Sequence, residues 1–318
     1  QLTIRSKSLK YELYSIGEFK RSEIIKIENL KTSFGKFQAL KDVTFTVNAG
    51  EVVGFLGPNG AGKSTTIRTL LGLLKKDSGN VMIFGQDVFT AADAIHEKIA
   101  YVPGETNVWD NMRGGDILAL FAKLRKNVNL DKQAELIQAF HFDVNKKAKA
   151  YSKGNKQKIA LISALATEAD LYIFDEPTSG LDPLMENVFQ TEVKRLKQAG
   201  KAILLSSHIL SEVEKLADTI VIIKDGEIIE RGSLQELRSI TQSKVIVTTR
   251  TELSGLRDFS SVSQLQISGN TATFLLDDAG VPAVMSYLAA QEIIKIATQK
   301  PTLDELFMDK YAEGGDAL

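Results

Sequence analysis

The chain has 318 residues, of which 43% are hydrophobic and 25% are charged, and its formal net charge is −1. This length suits two domains, or one large domain with an appendage, and the composition is that of a globular protein. The near-neutral charge supplies no global field that would attract nucleic acid or an anionic membrane. The sequence contains no cysteine, which excludes disulfides and thiolate metal sites and fits a reducing compartment.

The sequence shows no pattern that predicts a membrane-spanning helix or a signal segment. No apolar run approaches the roughly 18 residues that a membrane-spanning helix needs, and no positively charged and then apolar signal segment opens the chain. If the protein works at a membrane, we expect a separate subunit to hold it there. The chain begins with Gln1, and residues 1–22 show no clear periodicity. We expect an N-terminal extension over residues 1–22 that is either poorly ordered or derived from an expression vector.

Strands are predicted from residue 23 onward. Residues 24–27 and 43–47 are rich in β-branched and aromatic side chains, with a turn region at Phe34–Lys36 between them. Asn48–Gly50 then turns the chain into a short buried strand over 51–56.

The nine residues Gly57–Thr65 match the phosphate-binding pattern G-x-x-x-x-G-K-[ST] at every fixed position, between that strand and an apolar helix predicted over 66–74. Glycines let successive N–H groups point at phosphate oxygens, and the helix N-terminus adds partial positive charge. Lys63 adds a full charge, and the Ser64 hydroxyl can ligate Mg²⁺. We therefore predict binding of a nucleoside triphosphate by Gly57, Asn59, Gly60, Ala61, Gly62, Lys63, Ser64 and Thr65.

The following segment alternates between strands and helices, apart from a helical insert at about residues 105–170. We predict a turn at Asp77–Asn80. Strands are predicted over 81–84, 99–102, 171–174, 202–205 and 219–223. Helices are predicted near 116–126, 131–140, 155–167, 184–198 and 209–216. Short apolar strands that alternate with helices indicate a mostly parallel sheet, covered on both faces.

The pattern changes around residues 237–243, after which we predict a small α+β domain over 240–318 without a recognisable catalytic cluster. Its predicted elements are strands over 245–247, 271–275 and 293–296, a helix over 282–290, and a last helix from Thr302 with Glu305 placed for a capping box. Two roles stay open for this region: an appendage that stabilises a dimer, or a ligand-sensing regulatory domain.

Two adjacent acids, Asp175 and Glu176, end the predicted strand over 171–174. Because neighbouring residues at a strand end can point differently, the two carboxylates can take different roles. Asp175 could hold Mg²⁺, and Glu176 could polarise an attacking water. By themselves the acids fit a solvated strand end better. Together with the phosphate loop they favour a site that hydrolyses a nucleotide.

With these residues in view, the chain resembles the ATP-binding subunit of ABC transporters. Asp175–Pro183 resembles the family's Walker B motif and D-loop, and Tyr151–Asn155 lies where its signature sequence falls. Leu204–His208 resembles the switch-histidine segment, and Phe34 lies where the family places an aromatic ring that stacks on adenine. The resemblance covers about residues 24–235, with five motifs in the family's order.

The resemblance implies an α/β fold: a P-loop NTPase ABC cassette over residues 23–238, with a mostly parallel sheet core, an N-terminal antiparallel β part and the helical insert. A small C-terminal α+β accessory domain would follow over 239–318. Both parts would belong to a dimer in which each copy completes the nucleotide site of the other.

The family's roles transfer residue by residue. Glu176, His208 and Lys63 would be catalytic, and Ser64 and Asp175 would hold the metal. Ser152 and Gly154 would meet the γ-phosphate bound by the other copy, and Phe34 and Asp182 would join the nucleotide-binding set. Taken alone, Ser152 could simply cap the helix that follows, His208 could be a structural histidine, and Phe34 could be a packing or surface aromatic.

Two departures from the family pattern stand out. Gly104 occupies the position of the family's usual glutamine, and whether the following Glu105 takes that role is open. Lys153 and Asn155 replace a glycine and a glutamine of the signature. Both departures are similar to a branch of ATPases that serve ABC-2-type exporters, and Pro301–Phe307 resembles the closing helix of that branch's accessory domain.

The resemblance thus implies an ATPase that uses ATP and Mg²⁺ to drive export through a separate integral-membrane permease. We expect it at the cytoplasmic face of a bacterial membrane, paired with a second copy of itself or a related ATPase, and not with nucleic acid. The helical insert and the Gly104–Asp116 loop are the expected docking surface for the permease. The alternative is a soluble ABC-type ATPase that acts on ribosomes or nucleic acid. It is disfavoured because tandem cassettes, long coiled coils and a basic patch are absent from the sequence.

Overall fold

A computed structural model describes residues 22–234, 236 and 243–299 of the protein. These residues form two sheets, one of ten strands and one of four. The helix predicted from Thr302 and all of the predicted N-terminal extension except residue 22 lie outside the described residues. The domain boundaries that we place after residues 22 and 238 stay predictions.

The elements follow one another along the chain, with strands and helices interleaved. The larger sheet contains β1 (Glu23–Phe34), β2 (Phe37–Asn48), β3 (Val52–Leu56), β4 (Ser78–Ile83), β5 (Gln86–Asp87), β6 (Ile99–Val102), β7 (Leu171–Asp175), β8 (Ala202–Ser207), β9 (Thr219–Lys224) and β10 (Glu227–Ser233). The smaller sheet contains β11 (Ser243–Thr249), β12 (Val262–Ser268), β13 (Thr271–Leu276) and β14 (Ile293–Gln299). Helices in the described ranges are α1 (Lys63–Leu70), α2 (Ala92–His96), α3 (Gly114–Leu124), α4 (Leu130–Ala139), α5 (Lys153–Leu165), α6 (Pro183–Gln198), α7 (Leu210–Val213) and α8 (Val281–Ala290).

The larger sheet has the strand order β5-β4-β1-β2-β10-β9-β3-β8-β7-β6. Its half from β9 to β6 is parallel, whereas β5, β4, β1 and β2 pair antiparallel. This arrangement confirms the predicted parallel core with an N-terminal antiparallel part. Every residue of β3, β7 and β8 is buried, as expected for strands covered on both faces.

Two hydrophobic clusters cover the two faces of the larger sheet. Val53 and Phe55 of β3 belong to the cluster that contains Ile67 of α1. Val52 and Leu56 of the same strand belong to the other cluster, which includes the buried faces of α5 and α6. Because side chains alternate along a strand, β3 contributes side chains to both hydrophobic clusters. The phosphate loop therefore begins at a strand that is packed on both faces.

The N-terminal hairpin differs from its prediction. The strands β1 and β2 are 12 residues each, far longer than the predicted 24–27 and 43–47, although the turn between them is where we expected it. The turn predicted at Asp77–Asn80 is wrong for its last three residues, because Ser78 and Asn80 pair with Lys31 and Glu28 of β1. A register shift in β1 accommodates this turn-forming composition, so the tertiary pairing overrides the local preference.

Three further strands, β5, β10 and β12, were missing from the prediction. In β12 the apolar residues Val262, Leu265 and Ile267 do not alternate regularly along the sequence. The strand accommodates this spacing with a left-handed backbone at Gln264 (φ 49°) and a shift of its register with β13. The helices of the insert, α3, α4 and α5, begin and end within two residues of their predicted limits. The helix predicted over 209–216 is shorter, because α7 ends at Val213.

The smaller sheet has the order β12-β13-β11-β14 and is antiparallel throughout. One face carries Val245, Val247, Phe274 and Leu276, which pack with Val284 and Leu288 of α8. The sheet with its single described helix confirms a small α+β unit. Among the described residues, no helix has the length and apolar character needed to cross a membrane.

Candidate active site

The phosphate loop runs from the buried strand β3 into α1. Its backbone is left-handed at Gly62 (φ 112°), the residue that precedes the helix, and a Cβ atom added there would lie 2.7 Å from Leu40 Cδ2. The loop therefore needs glycine at this position for both conformation and space. Leu40 lies on β2, so the N-terminal hairpin packs directly against the loop.

Lys63 is the first residue of α1, and its side chain is only 4% exposed. The ammonium donates hydrogen bonds to the carbonyl oxygens of Gly57 (2.7 Å) and Pro58 (3.2 Å) and lies 3.4 Å from Glu176 Oε1. A buried cation needs such partners, because it has lost its hydration. The Lys63 ammonium is thus held by carbonyl oxygens of the same loop.

Asp175 and Glu176 follow one another at the end of β7 but lie in different surroundings. Asp175 is 3% exposed, and its Oδ1 accepts a hydrogen bond of 2.5 Å from the Ser206 hydroxyl. The Glu176 backbone is left-handed (φ 47°), and its N–H donates to the Ser206 carbonyl and hydroxyl oxygens, both at 3.1 Å. A non-glycine residue with this φ is strained and is held by its surroundings. The Ser206 contacts supply that restraint.

The three residues predicted to be catalytic meet at one carboxylate oxygen. Glu176 Oε1 lies 3.4 Å from Lys63 Nζ and 3.3 Å from His208 Nδ1. Glu176 and His208 are 25% and 41% exposed, so this oxygen lies at the mouth of the loop and not inside the core. The strand order explains the meeting: β8 lies between β3 and β7, and the residues that follow the carboxyl ends of parallel neighbours share one edge.

Tyr101 of β6 borders the same edge. Burial, assisted by the nearby charge of Asp175 and opposed by Arg68, raises the pKa of Tyr101 to about 12. The phenol therefore stays neutral at physiological pH and adds no charge beside the two acids.

Comparison with known proteins gives this geometry a family. A family model described as ABC transporter matches residues 40–179, and one described as ATP-binding protein DrrA1-3-like, C-terminal domain, matches residues 232–311. The chain is 31% identical over 305 residues to the uncharacterized ABC transporter ATP-binding protein YdbJ of Bacillus subtilis, which covers 93% of this chain and 98% of YdbJ. It is 36% identical over 213 residues to the ABC transporter ATP-binding protein NatA of the same organism, which covers 65% of this chain and 87% of NatA.

The chain belongs to the ABC transporter ATP-binding proteins. A solved structure described as the ATP-binding subunit of an ABC transporter is 31% identical, with a TM-score of 0.64, and covers 68% of this chain and 92% of its own. The protein is thus the ATP-binding, ATP-hydrolysing subunit of an exporter-type ABC transporter, with the α/β cassette fold that the sequence predicts. The roles of its individual site residues stay predictions.

The segment that resembles the family's signature lies at the start of α5. Ser152 is the N-cap of this helix, and its hydroxyl accepts a hydrogen bond from the Asn155 N–H (3.3 Å). A Cβ atom added at Gly154 would lie 2.1 Å from the Gly180 carbonyl oxygen, and Lys153 Nζ donates to the Ser179 hydroxyl at 2.9 Å. The signature helix therefore packs tightly on the D-loop of its own chain.

The other predicted residues are spread around these loops. Phe34 is 51% exposed at the tip of the β1–β2 hairpin, which is compatible with a ring that stacks on a ligand or with a surface aromatic. The Asp182 carboxylate caps α6 by accepting from the Met185 N–H (3.0 Å). At Gly104 an added Cβ atom would lie 3.6 Å from Asp175 Oδ2, so the backbone of this loop lies against the buried acid.

Sequence reasoning missed three residues that hold the site together. Ser206 orients both acids, as described above. Glu212 of α7 accepts from the hydroxyls of Thr178 (2.8 Å) and Ser207 (3.1 Å), which links the D-loop to the switch segment. Gln157 of α5 bonds to two loops at once. Ser206 and Gln157 are polar residues at buried positions, but burial is known only from the structure and no local motif marks either residue or Glu212.

Proposed function

We propose that this ATP-hydrolysing subunit binds ATP between two copies of the chain and hydrolyses it with Glu176 as the general base. The observation that carries the proposal is the meeting of Lys63 Nζ and His208 Nδ1 at Glu176 Oε1, at 3.4 and 3.3 Å. A carboxylate restrained beside a phosphate-binding lysine and at the mouth of the loop is positioned to meet a water that approaches the terminal phosphate.

Binding of the triphosphate is assigned to the loop. The backbone N–H groups from Gly57 to Thr65 and the N-terminus of α1 would receive the phosphate oxygens. On binding, the Lys63 ammonium would exchange its carbonyl partners for phosphate oxygens. Phe34, at the hairpin tip, would stack on the adenine ring.

We assign Mg²⁺ to Ser64 and Asp175, because their oxygen atoms are donors of the kind that this ion prefers. Mg²⁺ bound with a nucleotide takes one or two protein oxygens and completes its octahedron with phosphates and water. A buried carboxylate with one oxygen fixed by Ser206 and a hydroxyl at the start of α1 provide that set. The described residues contain no cluster of three or more metal-binding side chains, which agrees with a metal held largely by the nucleotide. When bound, Mg²⁺ would neutralise charge on the phosphates.

The reaction is phosphoryl transfer to water. Glu176 accepts a proton as the water oxygen bonds to the γ-phosphorus, and the bond between that phosphorus and the bridging oxygen breaks to leave ADP and phosphate. Lys63 and His208 stabilise the negative charge that the γ-phosphate oxygens carry during transfer. Both groups already flank the base, at 3.4 and 3.3 Å from Glu176 Oε1.

The partner copy would supply the other half of the site. Ser152 and Gly154 lie at the N-terminus of α5, a helix of 13 residues whose dipole favours an anion. We assign this terminus to the γ-phosphate held by the second copy, with Asp182 at the same interface. ATP would close the dimer, and loss of the γ-phosphate would open it.

The permease would receive this movement at the helical insert and the Gly104–Asp116 loop. Large apolar side chains are exposed near this region: Trp109 is 54% exposed, Leu124 71% and Leu73 64%. A permease that docks at the insert and its loop would cover Trp109 and Leu124. A permease partner implies work at the cytoplasmic face of the membrane. For residues 240–318 we propose the dimer-stabilising role, which predicts that their deletion weakens ATP-dependent dimerisation.

The variant Glu176→Gln tests the assignment of the base. It should bind ATP with nearly unchanged affinity and dimerise in its presence, while hydrolysis slows by at least about 10²-fold because the amide cannot accept the proton. Glu135→Gln is the control, since Glu135 is a 64% exposed residue of α4 paired with Lys132. Turnover by Glu176→Gln close to that of the control would refute the assignment.

A further inference from the structure

Gln157 is a polar residue of α5 that is only 2% exposed. Its Oε1 accepts a hydrogen bond from the Thr106 hydroxyl at 2.8 Å, and its Nε2 donates to the carbonyl oxygens of Pro103 and Pro177, both at 3.4 Å. The amide thus uses its acceptor and both donors on partners from two different loops. Because the Gln157 side chain is itself buried, these bonds replace the hydration that its amide has lost.

The two loops that Gln157 joins both border the hydrolytic acids. The first follows β6 and includes Gly104, whose position leaves a built Cβ atom 3.6 Å from Asp175 Oδ2. The second begins at Pro177, directly after Glu176. A shift of α5 would therefore be transmitted by the Gln157 side chain to the backbone beside Asp175 and to the backbone beside Glu176.

Gln157 also lies one helical turn from Gly154, so the amide and the signature belong to the same rigid segment. Gly154 in turn packs against Gly180 of the D-loop. The N-terminal end of α5 faces the nucleotide of the second copy under the function proposed above. Through Gln157, its first turns reach the backbone that neighbours the acids of this copy.

We infer that Gln157 is a positioning residue that couples the two ATP sites of the dimer. ATP seated on α5 by the second copy fixes the helix, Gln157 transmits that position to Pro103 and Pro177, and the two acids of this copy reach their hydrolytic arrangement. The inference rests on the proposed function, because it requires α5 to meet the nucleotide of a second copy. Gln157 itself touches neither ATP nor the metal in this scheme.

The test uses the full chain and compares Gln157→Leu with Gln133→Leu. Gln133 is also a buried glutamine of the helical insert, 9% exposed on α4, and its Nε2 has no hydrogen-bond partner among the described residues. Gln157→Leu should lower the kcat for ATP hydrolysis at least tenfold, with ATP affinity measured in the absence of turnover within about twofold of wild type. It should also lower the Hill coefficient for ATP towards one. Gln133→Leu should change none of these values.

A carboxylate variant adds a readout that a packing role would not move. The Gln157→Glu side chain can accept from Thr106 but, when ionised, cannot donate to Pro103 or Pro177. Its kcat should fall like that of Gln157→Leu at pH 8 and recover in part as the pH is lowered to 6, relative to wild type at each pH. Equal pH profiles for Gln157→Glu and wild type would overturn the donor role.

Thr106→Val keeps the inference testable if the Gln157 variants fold poorly, since it removes one bond at a partly buried position. It should lower kcat by a smaller factor, and the loss should disappear in the Gln157→Leu background because the bond is already gone. Losses that multiply fully, or Gln157→Leu kinetics equal to those of Gln133→Leu, would overturn the inference. Failure of wild type to dimerise with ATP would instead refute the proposed function.

Discussion

Gly154→Ala probes the contact between the signature helix and the D-loop. The Cβ atom of the variant would lie 2.1 Å from the Gly180 carbonyl oxygen. That separation must grow by about 1 Å before the two atoms reach an allowed contact. The obstacle is backbone, and Gly180 is itself left-handed (φ 81°), so no side-chain rotation can relieve it. Either α5 or the D-loop must move.

The magnitude follows from comparison with Gly115→Ala. Both glycines are the second residue of a helix in the insert, so the gain in helix propensity is common to the two variants. At Gly115 the new Cβ atom would lie 3.2 Å from Val144 Cβ, which requires only a small adjustment. Overpacking costs about 1–3 kcal/mol, so the free energy of unfolding should be lower in Gly154→Ala than in Gly115→Ala by roughly that amount.

Urea denaturation and ATP hydrolysis measure the two consequences. A displacement of about 1 Å at a reacting centre can cost on the order of 10²-fold in rate, so the kcat of Gly154→Ala should fall far more than that of Gly115→Ala. ATP binding to the phosphate loop should be nearly unchanged, since the loop lies on another segment. If Gly154→Ala matches Gly115→Ala in both stability and kcat, the close approach of α5 and the D-loop has no energetic consequence.

Three shorter predictions concern the loop and the acids. Ser206→Ala removes the hydroxyl bonded to Asp175 and Glu176 and should lower the free energy of unfolding by about 1.5–3 kcal/mol in urea titrations at pH 7. Gly62→Ala should lower it by about 1–3 kcal/mol and abolish ATP binding in equilibrium titrations, because of the φ of 112° and the contact with Leu40. The raised pKa of Tyr101 contributes stability below about pH 10 that is lost as the pH rises towards 12, so Tyr101→Phe should lose less stability across that window.

Each of these predictions has a contrary result. Ser207→Ala is the control for Ser206→Ala, because Ser207 bonds to Glu212 and Ile209 and touches neither acid. Because Ser206 restrains both acids, Ser206→Ala should also lower kcat more than Ser207→Ala does, and equal kcat values for the two variants would contradict that restraint. Gly60 has a left-handed backbone, but no atom lies within 4 Å of a Cβ atom built there. If Gly60→Ala lost as much stability as Gly62→Ala, the contact with Leu40 would not contribute to the loss in Gly62→Ala. Parallel stability curves for Tyr101→Phe and wild type between pH 10 and 12 would contradict the burial of the phenol.

Much of the architecture could be predicted, because buried parallel strands are short apolar runs and helices show their period. The limits of the insert helices were predicted to within two residues. Most of the errors lie in the antiparallel strands, although α7 also ends earlier than predicted. Ser78 and Asn80 have a turn-forming composition and nevertheless pair with β1, and a bulge at Gln264 hides the alternation of β12. The structure of such a segment depends on the strand with which it pairs, and that partner lies elsewhere in the sequence.

The site residues also divide into those that a local motif reveals and those that depend on distant partners. The loop Gly57–Thr65 is one continuous stretch, and its chemistry depends on local backbone geometry, so its phosphate-binding character is visible in the sequence. Gln157 and Glu212 are ordinary polar residues on helices, and nothing near them in the chain marks them as bridges. Apart from Ser207, which lies five residues from Glu212, their partners are 20 to 54 residues away.

The sequence by itself thus determined the family, the ATP-binding loop and the two acids, because each is a contiguous motif whose function follows from adjacent residues. Only the tertiary structure decided that Lys63, Glu176 and His208 share one carboxylate oxygen. Those residues follow β3, β7 and β8, and their meeting depends on β8 lying between the other two strands. Strand order is set by packing over the whole chain, which no local pattern records.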